Sequence, residues 1–149
     1  MQKKNVIISI SGKQTSQDGE EEQIELMTPG TLARHAGGWL LSYQETPLSG
    51  MEGTETTFHI SPDRIVLSRT GSINTEMTFE QGRKHLSAYE VEGGFVTVGV
   101  DTRSIAARLS DSGGSIDIHY AVDVENQATG ENRFHIQVKE PRPFVSPVS

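Results

Sequence analysis

Five histidines and one arginine are the residues of this chain whose types invite chemistry: His35, His59, His85, His119, His135 and Arg69. Histidine offers a proton relay or a metal ligand. An inward guanidinium offers a clamp for an anionic head group. His119 and His135 lie diagonally on the outer face of a terminal hairpin, and no carboxylate completes a known ligand spacing. They read as surface histidines, so no metal is expected. His59 alternates with Phe58 and Ile60 and faces outward, while His35 sits where it would cap a barrel mouth. His85 shares a polar stripe with Ser87 and Tyr89, read as barrel exterior. There is no G-x-S-x-G elbow to expose a nucleophile, and Ser49-Gly50 and Ser112-Gly113 are turn chemistry. Gly50-Met51-Glu52-Gly53-Thr54 lacks the lysine of a phosphate loop and precedes a strand. No carboxylate sits in an apolar context that would raise its pKa. No catalytic residue and no cofactor is expected.

Arg69 differs because it shares strand parity with Ile65 and Leu67, and so points inward near the end of its strand. On the same parity argument Trp39 and Tyr43 join Leu41, and Tyr120 joins Ile116, Ile118, Val122 and Val124. Arg69, Tyr43, Tyr120, Trp39 and Met77 therefore form the candidate ligand-binding set.

The elements that must position these residues are strands. Asn5 to Lys13 alternates with Val6, Ile8 and Ile10 on one face; with Ile7 outward it could serve as an open edge. Gln23 to Met27 is extended and ends at Thr28-Pro29-Gly30, and Thr31 to Gly37 reads as the one short helical turn. Trp39 to Thr46 resumes as strand. Thr54 to Ile60 and Ile65 to Thr70 form a hairpin about Pro62-Asp63, with Ile60 opposite Ile65 and Phe58 opposite Leu67. Thr75 to Glu80 and His85 to Val91 read as the next hairpin, a Gln81-Gly82 loop setting Met77 opposite Leu86. Phe95 to Asp101 and Ile105 to Leu109 follow. In the last hairpin, pairing Val122 with Phe134 sets Asp123 against Arg133 and Asp117 against Lys139, with His119 opposite Gln137 and His135 opposite Ala121. Residues 141–149, with Pro141, Pro143 and Pro147, cannot continue a central strand.

At 149 residues the chain is read as one domain, 1–149, and its 15 glycines punctuate many short strands. The absence of cysteine excludes disulfides and thiol chemistry. The apolar stretch Val6 to Ile10 is too short and polar for export, and no run reaches membrane-spanning length, so a cytoplasmic protein without a membrane partner is expected. A net charge of −7 argues against nucleic acid. Glu20-Glu21-Glu22 reads as a solvated turn. About eight to ten antiparallel strands in meander order favour a closed or nearly closed barrel, because closure removes exposed edges.

The order of motifs carries a resemblance. Ile24-Glu25-Leu26-Met27-Thr28-Pro29-Gly30, Leu41-Ser42-Tyr43-Gln44-Glu45-Thr46 and Ser49-Gly50-Met51-Glu52-Gly53-Thr54 occur in sequence. Arg69-Thr70-Gly71, Met77-Thr78-Phe79-Glu80-Gln81-Gly82 and Gly94-Phe95-Val96-Thr97-Val98-Gly99-Val100-Asp101-Thr102 follow. The chain resembles the YwiB-like family of small bacterial proteins of unknown function over nearly its whole length. That resemblance implies a lipocalin-like (calycin) β-barrel and no activity. Gly37-Gly38-Trp39 has the letters of the lipocalin G-x-W pattern but follows two strands, and Trp39 reads more simply as a core anchor.

Three functional readings remain open. One is a barrel holding a small apolar or anionic ligand. The second is a filled structural or interaction barrel, a homodimer included. The third is an enzyme working through His85, Tyr89 and Arg103, which has no required spacing behind it. A barrel of this size can be filled or hollow.

Overall fold

The computed structural model describes residues 3–47, 50–72 and 74–141. The residues beyond Pro141 and Ser49 of the Ser49-Gly50 turn lie outside that range. Among the described residues, ten strands form one antiparallel sheet: β1 (Lys4–Ser16), β2 (Glu21–His35), β3 (Gly38–Gln44), β4 (Thr54–Ile60), β5 (Arg64–Gly71), β6 (Thr75–Glu80), β7 (Lys84–Val91), β8 (Gly94–Ser110), β9 (Gly113–Val124) and β10 (Gln127–Lys139). The strand order is β6-β5-β4-β3-β2-β1-β10-β9-β8-β7. Every neighbour is consecutive in sequence except β1 and β10, which pair from Ile7↔Lys139 to Ser16↔Gly130. The first strand is thus central to the sheet, not the open edge its outward Ile7 suggested. The fold is an all-β, nearly closed barrel whose seam lies between β6 and β7.

Alternation builds the interior, because successive side chains point to opposite faces of the sheet. Val6 and Ile8 of β1, Leu41 of β3, Ile65 of β5, Val100 of β8, Ile116 of β9 and Ile136 of β10 are all buried in one core. The β4–β5 hairpin has the expected register, Ile60↔Ile65 and Phe58↔Leu67.

Several expectations are corrected. Thr31 to Gly37 is not helical: β2 runs through Thr28-Pro29-Gly30 to His35, paired with β1 as far as Leu32 and with β3 from Thr31 to His35. Two ladders satisfy its backbone, which outweighs the helix propensity of Leu-Ala-Arg-His-Ala. Gly30 permits the passage, since a Cβ there would lie 2.4 Å from both Ile8 Cδ1 and the Ser42 carbonyl oxygen. The turn is Ala36-Gly37, both at positive φ, and His35 is an exposed strand-end residue.

Phe95–Asp101 and Ile105–Leu109 are one strand, β8, with an irregularity between Thr102 and Ser104. The β9–β10 register is displaced by four residues from expectation, with Val122 opposite Gly130 and Phe134 opposite Ile118. A two-residue turn causes this, Glu125 and Asn126 both adopting positive φ (51° and 66°) and so starting β10 at Gln127. Asp117 therefore faces His135, and His119 faces Arg133.

The expected β6–β7 hairpin does not form as a ladder. Met77 pairs with Leu67, and Leu86 pairs with Gly99. The connecting turn fastens to β8 instead: Gly82 N–H donates to the Thr102 carbonyl (3.0 Å) and Thr102 N–H to the Arg83 carbonyl (3.2 Å). β6 closes the barrel through packing. Phe79 is buried and its ring centroid lies 4.7 Å from that of Tyr120 on β9. Removing that ring by Phe79→Ala should cost about 3–5 kcal/mol in urea unfolding, the usual effect of a large core cavity. Phe95→Ala, at a side chain 70% exposed, should change stability by less than about 0.5 kcal/mol.

Candidate functional site

The inward positions become polar toward one end of the barrel. On β3, β4 and β5 the cross-strand row is Tyr43↔Thr56↔Arg69, and Arg69 continues to Thr75 on β6. Tyr43 and Thr56 are buried. Tyr120 on β9 is buried opposite Thr102 of β8 and Asn132 of β10, both buried as well. Tyr89 of β7 packs on the core opposite Val96. The stripe His85, Ser87, Tyr89 therefore faces the interior, not the exterior, and it is Leu86 that is exposed.

All three tyrosines of the chain thus gather about Arg69. Burial is the main influence on each, pushing the phenols of Tyr43, Tyr89 and Tyr120 above the usual value of 10.0. At Tyr43 the Glu45 carboxylate adds to the rise; at all three the Arg69 charge opposes it. Glu45 is itself buried and accepts a hydrogen bond from the Thr56 hydroxyl. Its parity with Leu41 and Tyr43 was the available signal for its burial.

Arg69 has no carboxylate within ion-pair distance among the described residues, and its Nε is buried without a hydrogen-bond partner. The Tyr89 and Thr102 hydroxyls are likewise buried and unpartnered. Leaving such a group unsatisfied costs roughly 1–3 kcal/mol, more when it is charged.

Of the five residues expected to share a site, the structure brings Arg69, Tyr43 and Tyr120 together. Met77 flanks them, half-buried opposite Leu67, one inward position from Arg69. Trp39 does not join them. It lies four residues along β3 from Tyr43, about 13 Å at the usual strand rise, opposite Ile60 and with the Arg34 guanidinium 4.6 Å over its ring. Thr102, Glu45 and Asn132 are the residues that sequence reasoning missed, and Tyr89 is the one it placed on the exterior.

Two other groupings carry titratable side chains. On the outer wall an open groove of about 600 Å³ is lined by Lys13, Glu25, Asp117, His119, Arg133 and His135. His135 Nδ1 lies 2.7 Å from Asp117 Oδ1, and His119 Nε2 lies 3.6 Å from Glu131 Oε2. The described residues include no cluster of three or more groups able to hold a metal ion. At the seam, His85 Nε2 lies 2.9 Å from Glu80 Oε1, and this hydrogen bond holds the Glu80 carboxyl below its usual 4.5. Arg103, the third member of the enzyme reading, turns away to Asp101 (3.3 Å) and Glu131 (3.8 Å).

Comparison with known proteins gives a consistent fold. The domain of unknown function DUF1934 matches residues 8–136. An uncharacterised β-barrel protein of Bacillus subtilis, YwiB, is 26% identical over 110 residues, covering 74% of this chain and 76% of that protein. The crystal structure of the YwiB protein from Bacillus subtilis superposes with a TM-score of 0.83 at 20% identity, covering 95% of each chain.

Two pH effects follow. Because the folded tyrosine pKa values lie above 10.0, the unfolded chain loses those protons first. The associated stability is complete below that value and is lost as pH rises beyond it. An alkaline ultraviolet titration should show no tyrosinate near pH 10 and then a cooperative rise coincident with unfolding. At the acid end, Glu80 has a depressed folded pKa, so its contribution is present above 4.5 and is lost as pH falls through the folded value. Glu80→Gln should flatten this part of the acid limb in melting temperatures measured against pH.

Proposed function

Because the chain belongs to the DUF1934 family, whose description assigns no function, its activity must be read from its own interior, and we propose that it is a barrel that binds a small molecule at the Arg69 end. The observation that carries this reading is Arg69 itself. A strand-borne guanidinium points inward at the polar end of the barrel beside three tyrosines, with a buried Nε that has no hydrogen-bond partner among the described residues. Burying such a group is costly unless a partner arrives, and a ligand pocket is typically an apolar enclosure with a few convergent polar groups. The occupant is a small molecule with apolar or anionic character, contacting Arg69, Tyr43, Tyr120 and Met77; Trp39 is too distant to share it. This is the lipocalin manner of using a barrel, transferred to a fold with a packed middle.

The working compartment in this proposal is the cytoplasm, in keeping with a chain that contains no cysteine. No described helix is long and apolar enough to cross a membrane. The outer wall carries Lys13, Asp117, Arg133 and His135 across β1, β9 and β10. Such a wall suits water better than the apolar band of a membrane barrel.

A second reading has its own support. Phe79 and Phe134 each pack on the Tyr120 ring inside the barrel, with centroids 4.7 and 6.0 Å from it. Leu86 and Phe95 are 64% and 70% exposed on the outside of β7 and β8. A filled barrel that engages a partner or a second copy through its outer wall would look like this.

Native mass spectrometry separates the two. Protein purified gently from its own kind of host should carry an excess mass that is lost on denaturation and missing from Arg69→Met. Bare protein in both cases, as monomer or dimer, would overturn the ligand reading and favour the filled barrel.

A further inference from the structure

The open groove on the outer wall, about 600 Å³, crosses β2, β1, β10 and β9, and the register sets its charged side chains in two rows. One row is Lys13↔Arg133↔His119, and the next is Glu25↔Ser11↔His135↔Asp117. Most of these charges are already matched. Lys13 Nζ lies 3.3 Å from Glu21 Oε1, His135 Nδ1 lies 2.7 Å from Asp117 Oδ1, and His119 Nε2 lies 3.6 Å from Glu131 Oε2. Two are left over, and they have opposite sign. Among the described residues, neither the Arg133 guanidinium nor the Glu25 carboxylate makes an ion pair or a hydrogen bond.

Arg133 and Glu25 lie two strands apart and one same-face step out of line, which places their backbones about 12 Å apart at the usual sheet spacings. Ser11, on the strand between them, is small and leaves the floor open there. An anion alone would meet Arg133 and be repelled by Glu25, and a cation alone would meet the reverse. A molecule charged at both ends matches both. Lys13 and His119 stand on either side of Arg133 and favour the negative end there. A guanidinium also takes a carboxylate in a two-pronged fork. Once both side chains reach inward, about 6–10 Å remains between the charges, which an extended chain of two or three residues covers at about 3.4 Å each. A single amino acid is too short.

We propose that the outer groove binds a short peptide through its two termini, the carboxylate on Arg133 and the ammonium on Glu25. The site lies on the outside of the barrel and is independent of the interior-ligand reading above.

The test is amide NMR of the full chain, labelled at nitrogen and titrated with triglycine, then separately with its N-acetylated and C-amidated forms. Triglycine should give saturable shifts at Glu25, Ser11 and Arg133. Each capped form should bind up to about fivefold more weakly, the contribution of one exposed ion pair. The acetylated peptide should move Arg133 and leave Glu25 still, and the amidated one should do the opposite. Arg133→Gln and Glu25→Gln alter exposed side chains, so both should fold. Arg133→Gln should become indifferent to amidation of the peptide, and Glu25→Gln indifferent to its acetylation. Should either variant fail to fold, the three peptides on the wild-type chain decide. Arg69→Met should leave the titration unchanged, which separates this site from the interior one. No saturable shift, shifts centred away from the groove, or equal binding of all three peptides overturns the proposal.

Discussion

The pairing of the first strand with the last organises this molecule. β1 and β10 share a continuous register from Ile7↔Lys139 to Ser16↔Gly130, and each has a second partner on its other side. A meander closed through its termini hides the edges that the chain ends would otherwise expose. It also moves the weak point of the barrel to a place where two strands are adjacent in sequence. β6 and β7 are joined by a short turn and yet do not ladder; the turn is held by β8, and β6 is held by Phe79 against Tyr120. The polar end of the interior lies beside that seam.

Much of this was legible because strand alternation is a direct consequence of backbone geometry. Val6, Ile8 and Ile10 face inward as their spacing demands, and Pro62-Asp63 sets the β4–β5 register without ambiguity. The failures have local causes. Leu32, Ala33 and their neighbours have helical propensity, but the ladder to β3, joined at Leu32 by that to β1, decides their fate. The β9–β10 register depends on Glu125-Asn126 taking left-handed backbone angles. Asn126 announces such a turn, whereas a glutamate at the preceding position conceals it.

The candidate site was half visible for the same reasons. Parity alone turns Arg69, Tyr43 and Tyr120 inward, and the structure places them together. Parity also placed Trp39 on the inner face, yet a shared face is not a shared site: position along the strand separates Trp39 from Tyr43. Thr102 was hidden by the irregularity at Arg103, which lets Thr102 pair with Tyr120 and Ile105 with Ile118 on one face, although they are three apart in sequence. Tyr89 was hidden by the assumption of a β6–β7 ladder, which turned β7 the wrong way round. Hydrogen-bond satisfaction cannot be read from sequence at all, and it is the missing partners that single out this end of the barrel.

The central claim is that Arg69 keeps a buried donor for something other than the protein. A high-resolution crystal structure of gently purified protein tests it most directly, through the density beside Arg69 Nε. The account predicts a bound small molecule with an acceptor atom at hydrogen-bond distance from that nitrogen. An Arg69 side chain folded back onto Glu45 as a direct ion pair, or satisfied by a single water with no space for anything larger, would contradict it.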